Sequence, residues 1–324
     1  MKSKEARRLI KFGDSSHVLS IPKDWIDKNK LEKGDLVFFD ENEFGQLILS
    51  PDQKKLERAD KGISVCIDKK DEWQIKREII ASYLKNFSTI RLHGSEIKKR
   101  QPFIKETIQN LMAMEIVKQS NDEIVAKVFF DPETIKFEEL TVRIDIMVRS
   151  LFQDFCSLLD KENISEKELE EMVSRDEDVN GLFFLSQKLF KQKLENPFLV
   201  STVKLADLFE SWNTNFRLEF ISDRLKEMSI LIKKNKLNKD KTIVRLVKEI
   251  FKEIENYYLL VMKARHIKDI NLAFELSSKK RELHKKCDFL VEKGGGKKGF
   301  PEICEKIRSI VREIHAINRS VYNN

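Results

Sequence analysis

Apolar and polar positions follow three successive patterns along this chain. From Leu9 to Leu49 the apolar residues come in short clusters (Leu9-Ile10, Phe12, Val18-Leu19, Leu36–Phe39, Leu47–Leu49), set between Gly13, Pro22, Gly34 and Gly45. This spacing predicts a short strand, a Gly/Ser turn, a second strand, and then a helix opened by Pro22, whose fixed φ suits a first helical turn. Asp24 favours the positive end of that helix, and Leu31 and Gly34 are expected to close it. A second hairpin follows, over Leu36–Phe39 and Gln46–Leu49, around a turn at Asn42–Gly45. A strand-helix-strand module of about fifty residues buries too little surface to stand alone, so association of two copies is expected.

Over residues 60–131 the pattern alternates. Ile63–Ile67 has period two, and Glu72–Leu84 carries Trp73, Ile75, Ile79, Ile80 and Tyr83 at helical spacing. Thr89–Leu92 reads as a strand. Pro102 opens or interrupts a second helix bearing Phe103, Ile104, Ile108 and Leu111, and Glu115–Lys118 and Ile124–Phe130 read as closing strands. The alternation predicts a small α/β sandwich. From Thr134 onward the period becomes three to four, beginning with Phe137, Leu140, Ile144, Met147, Leu151, Phe155 and Leu158. Similar stripes occupy 166–195, 198–233, 241–268, 269–293 and 300–322, with breaks at Lys161–Ile164, Asn196-Pro197, Asn235–Asp240 and Gly294–Gly296. Six helices in two sets of three (134–233 and 241–322) with short connections predict antiparallel neighbours and an internal duplication. The chain thus reads as α+β and multidomain: a hairpin module over 1–53, an α/β domain over 60–131 and an all-α domain over 134–324.

Composition narrows the class. The 324 residues include only ten glycines and six prolines, which favours long helices. The net charge of +7 permits a polyanion partner without demanding one, because both signs are mixed along the helices. Cys66, Cys156, Cys287 and Cys304 stand far apart with no zinc spacing, so reduced thiols are expected. The opening residues are charged and no apolar run spans a bilayer, so the expectation is a cytoplasmic protein without membrane insertion.

The candidate chemistry lies in the first hairpin. Arg7, Arg8 and Lys11, with Lys4 nearby, surround Leu9 and Ile10. Such cations can blunt an exposed strand edge or contact phosphates. Gly13, Ser15 and Ser16 suit a turn whose hydroxyls bond backbone or phosphate, and His17 and Lys23 lie on the same presumed face. The expected DNA-contacting set is therefore Arg7, Arg8, Lys11, Ser15, Ser16, His17 and Lys23. His93, His266, His284 and His315 are scattered and read as surface or capping residues. Gly294–Gly299 lacks the preceding strand and the Lys-Ser/Thr ending of a phosphate-binding loop, and no Ser/His/Asp or Cys/His order supports nucleophilic catalysis. No enzyme and no cofactor are expected.

Several stretches carry a resemblance. Arg7–Pro22 with Leu31–Asp35 resembles the AbrB-like (SpoVT/AbrB) swapped-hairpin module. Lys76–Leu84 followed by Ser88–Arg91, and Arg175–Leu185, resemble the middle and helical parts of archaeal PhoU-like phosphate-uptake regulators that carry such a module. The resemblance implies an N-terminal swapped-hairpin β barrel formed by a homodimer, DNA binding, a PhoU-like pair of three-helix bundles, and a link to phosphate uptake. The alternative it leaves open is an adaptor that uses the hairpins only to dimerise and docks on a phosphate transporter or a sensor protein. PhoU-like bundles often hold metal through acidic pairs four residues apart. Here Asp176 matches the first acid, its partner position is Asn180, and of the third-helix pattern over Glu210–Asn215 only Glu210 keeps a carboxylate. A cation at Asp176, Asn180 and Glu210 is one reading. The other is a Lys or Arg from a neighbouring helix that compensates an inward-facing Asp176.

Overall fold

A computed structural model of the chain describes residues 6–41, 45–51, 61–129, 135–195, 205–294 and 296–323. Most of the Asn42–Gly45 turn, Phe130, Thr134, the 196–204 stretch and Gly295 lie outside the described residues. The chain divides into two compact units, Met1–Ala59 and Asp60–Asn324.

In the first unit, β1 (Ile10–Phe12) and β2 (Ser16–Val18) form an antiparallel hairpin pairing Ile10 with Val18, Lys11 with His17 and Phe12 with Ser16. The turn is possible because Gly13 adopts φ 71°, a left-handed conformation that costs little without a Cβ. Helix α1 (Lys23–Asn29) follows Pro22 as its N-cap. It ends earlier than Leu31–Gly34: Lys30 turns left-handed at φ 52°, and the Leu31 amide donates back to the Ile26 carbonyl. Strands β3 (Phe38–Glu41) and β4 (Leu47–Ser50) form the second hairpin, with Phe39 opposite Leu49 and Glu41 opposite Leu47. Among the described residues each hairpin pairs only within itself, so the expected barrel is not closed in one chain. Four strands of three or four residues, in two separate ladders, are too few to complete a ring.

The second unit begins with a four-stranded sheet in the order β5-β6-β8-β7, formed by β5 (Gly62–Cys66), β6 (Thr89–His93), β7 (Met114–Gln119) and β8 (Glu123–Val128). β5 runs parallel to β6, and the other pairings are antiparallel. Ile90 and Leu92 are buried while Arg91 and His93 are exposed, so helices cover one face. Those helices are α2 (Glu72–Leu84), capped by Asp71 accepting from the Gln74 amide at 2.7 Å, and α3 (Ile97–Gln109). Pro102 does not open the helix: it lies inside α3, whose first residue is Ile97. The proline forfeits only a bond to the carbonyl of Lys98, an exposed residue that water can serve.

The helical region comprises α4 (Phe137–Leu159), α5 (Glu166–Glu195), α6 (Leu205–Lys234), α7 (Lys241–Ile267), α8 (Ile270–Leu276), α9 (Lys279–Lys293) and α10 (Phe300–Tyr322). The single helix expected over 269–293 is two helices. Ser277 donates from both its amide and its hydroxyl to the Phe274 carbonyl, competing with the helical ladder at the break. The two expected sets of three helices share one continuous core, because α6 packs on α4, α5 and α10 alike. Helix α5 also meets the α/β layer. Its Gly181 backs onto the Asn110 carbonyl so closely that a Cβ there would lie 2.7 Å from the oxygen. Phe184 packs on the sheet–helix core, and the fully buried Lys188 donates to the Tyr83 carbonyl at 2.8 Å.

Candidate functional site

The seven residues expected to contact DNA all lie on the first unit and are all exposed. Arg7 and Arg8 immediately precede β1, Ser15 ends the turn, and Lys23 opens α1. Lys11 and His17 are direct cross-strand partners and therefore project from one face of the hairpin. The neighbouring positions Ile10, Phe12 and Val18 project from the opposite face, and so does Ser16, the partner of Phe12, which is thereby separated from Lys11 and His17. The hairpin is thus divided into a basic face and an apolar face.

That apolar face has no cover within the unit. Phe12, Leu36 and Phe39 are 70%, 73% and 71% exposed, and Leu9, Ile10, Val18, Leu19, Leu47 and Leu49 are exposed as well. No residue of α1 is buried, and among the described residues of this unit only Ser50 is. A folded domain normally hides such side chains, each worth about 1.5–3 kcal/mol when fully buried. An uncovered set of this size marks an interaction surface.

In the second unit the structure brings Asp176 and Asn180 together and leaves Glu210 elsewhere. Asp176 is completely buried on α5, and it accepts from Ser222 Oγ at 2.7 Å, Asn180 Nδ2 at 3.2 Å and Lys226 Nζ at 2.5 Å. Lys226 also reaches Asp223 at 2.6 Å. Burial pushes the Asp176 carboxyl above its ordinary value, against the pull of Lys226 and Ser222. Glu219, one turn before Asp223, rises to about 7 through burial and the carboxylates of Asp223 and Asp176. Glu210 precedes Ser222 by twelve residues on the same helix, roughly 18 Å at about 1.5 Å per residue. The donor set therefore does not fit a metal ion. The Lys226 ammonium occupies the position of the counter-charge, the partner position is an amide, and the third carboxylate is remote. Among the described residues no other cluster of His, Cys, Asp or Glu suits a metal.

A second charged network escaped the sequence reading. Asp145 lies on α4 between the stripe residues Ile144 and Val148 and is 2% exposed. It accepts from Arg149 Nε at 3.0 Å and Nη2 at 2.7 Å, from the Tyr258 hydroxyl at 2.6 Å, and bonds His266 Nε2 at 3.0 Å. His266 Nδ1 lies 3.3 Å from Glu138, which Arg265 also grips with both terminal nitrogens at 2.6 and 3.1 Å. The hydrogen bonds to Asp145 and Glu138 raise His266 to about 9. Burial alone would raise Glu138, but His266 and Arg265 outweigh it and bring the carboxyl down to about 2. His266 is thus an internal tie between α4 and α7 rather than a surface or capping residue. The one local signal was an acid inside an apolar stripe, since its partners on α7 lie more than a hundred residues away.

Comparison with known proteins adds one match. Residues 10–57 match the MazE antitoxin family, described as antidote-toxin recognition MazE, bacterial antitoxin. The match spans both hairpins and α1 and supports a MazE/AbrB-like domain at the N-terminus. No curated protein and no solved structure matches the chain. Among the described residues no helix is long and apolar enough to cross a membrane.

Proposed function

We propose that the chain is a dimeric, DNA-binding regulator whose N-terminal domain completes its fold by interlocking with a second copy. The observation that carries this reading is the two-faced first unit. Ile10, Phe12, Val18, Phe39, Leu47 and Leu49 stand uncovered in one chain, while Lys11 and His17 project from the other side of the first hairpin. Pairing two copies hides the apolar faces and doubles the basic one. Arg7, Arg8, Lys11 and Lys23 then supply phosphate contacts, with Ser15 and His17 at the turn, while Ser16 sits on the apolar side opposite Phe12. The MazE/AbrB-like match over 10–57 supports this reading. The link to phosphate uptake rests on the PhoU-like resemblance of the middle and helical stretches. In this reading the helical region receives the signal, and a ligand or partner that prefers one arrangement of its helices shifts the DNA-competent population. The protein acts by binding and not by catalysis.

Sedimentation and fluorescence anisotropy on double-stranded DNA test the proposal together. The expected results are a dimer and a log–log salt slope of about −0.9 for each phosphate contacted. A monomer, or an affinity indifferent to salt, overturns it. A second reading draws on Asp14, Asp24 and Asp27, which temper the basic surface. In that reading the domain only dimerises or holds a partner protein, and the chain serves as an adaptor for a phosphate transporter or a sensor. A stable dimer with no DNA affinity at low salt favours it.

A further inference from the structure

At one end of the helical region, six helices terminate around a cavity of about 750 Å³. It is bounded by the start of α4, the end of α5, the start of α6, the end of α7, the start of α8 and the end of α10. Its volume falls within the roughly 300–1,000 Å³ typical of small-molecule sites. Apolar side chains supply much of the wall: Ile135, Phe137, Leu208, Ile270 and Val321. Among the charged groups of the wall, Glu138 is already matched by Arg265 and His266, as described above.

Asp207, Glu210 and Lys268 have no ion-pair partner among the described residues, and Asp207 is exposed to solvent. Among the described residues, Glu210 Oε2 is a buried oxygen with no hydrogen-bond partner. Leaving a buried acceptor unsatisfied costs about 1–3 kcal/mol, and more for a charged one, so a native chain keeps such a group where something else completes it. Lys268 lines the same cavity just after α7, held at φ 55°, and among the described residues its ammonium has no ion-pair partner. The wall therefore holds a buried acceptor without a donor and an exposed ammonium without a counter-charge, and much of the remaining wall is apolar.

We propose that this cavity binds an amphipathic zwitterion, a short apolar peptide with free termini, its ammonium group on Glu210 and its carboxylate on Lys268. The peptide's side chains would cover Leu208, Phe137 and Ile270. The wall then gains one charge-assisted hydrogen bond at each end, and the buried Glu210 oxygen acquires a donor. This site does not depend on the DNA-binding reading, since it lies wholly within the second unit.

Isothermal titration of the full chain with trileucine tests it, alongside the N-acetylated and C-amidated peptides. The free peptide is expected to bind, and blocking either end should weaken it by about tenfold or more, as loss of a charged hydrogen bond implies. Glu210→Gln should weaken the free peptide similarly and make acetylation nearly neutral, and Lys268→Met should do the same for amidation. Ile270→Trp, at the exposed first residue of α8, should fill the cavity and abolish binding while the helical circular dichroism stays unchanged. Absence of heat with millimolar trileucine overturns the proposal. So does equal affinity for the free and acetylated peptides, or binding that ignores both Glu210→Gln and Ile270→Trp.

Discussion

The pairing of Asp176 with Lys226 gives the sharpest test of the helical core. Replacing Lys226 with Met keeps most of the side-chain volume and removes the ammonium 2.5 Å from a carboxylate that is 0% exposed. Breaking a buried pair from one side costs about 3–5 kcal/mol, because the remaining charge is stranded. Ser222 and Asn180 still donate to Asp176. Glu219 and Asp223 nearby add repulsion once the lysine is gone. These effects offset one another, and the expected loss at neutral pH is about 3 kcal/mol. The Asp176→Asn/Lys226→Met double variant removes both charges and should recover about 2 kcal/mol of that loss, since a neutral amide can keep the Ser222 bond. The pH dependence has a definite sign. In Lys226→Met the folded carboxyl is raised further, so the deficit is small near the ordinary value of 3.8 and grows as pH rises above it. Urea unfolding followed by circular dichroism at acidic and neutral pH measures all three quantities. A single-variant loss below about 1 kcal/mol, or a double variant no more stable than the single, would refute the assignment of Lys226 as the compensating charge.

Three further outcomes are expected. The His266 ring has an ordinary value of 6.5 and is raised to about 9 on folding, so its contribution is complete below 6.5 and lost as pH climbs through 9. Allowing for screening of a side chain still 24% exposed, this amounts to about 2 kcal/mol, and His266→Gln should flatten that alkaline limb in a stability–pH profile. Gly181→Ala puts a methyl 2.7 Å from the Asn110 carbonyl and should destabilise the second unit by about 1–3 kcal/mol in thermal melts, whereas an unchanged melt would show that α5 does not press on that loop. Phe39→Glu places a charge on the uncovered face of the second hairpin, and in sedimentation velocity the variant should run as a monomer, its helical signal intact, where the unaltered chain is expected to run as a dimer. A variant that stays dimeric would move the interface away from this face.

Much of the architecture was legible in the periodicity. The stripe from Phe137 to Leu158 became α4, and its members Leu140, Ile144, Leu151 and Phe155 are all buried. The period-two run at Ile63–Ile67 likewise became β5, with Val65 facing the core. The misread points are places where one local signal met a competing one. Local pattern leaves open whether Pro102 starts or interrupts its helix, and α3 tolerates it in its interior because the lost partner is solvated. The pattern over 269–293 ran through Ser277 because serine's preference for bonding its own backbone is weak beside an apolar stripe. His266 was read from its neighbours in sequence, whereas its chemistry comes from α4.

By itself, the sequence determined which segments are helix or strand, which of their faces are apolar, and that the first fifty residues cannot bury their own surface, because these are consequences of near-neighbour spacing and side-chain area. Tertiary structure alone decided that Asp176 meets Lys226, that Asp145 meets Tyr258 and His266, and that Glu210 and His266 line one cavity. Those partners lie on different helices or many turns apart. Their meeting depends on how long helices cross within a shared core, a global packing outcome that no local pattern encodes.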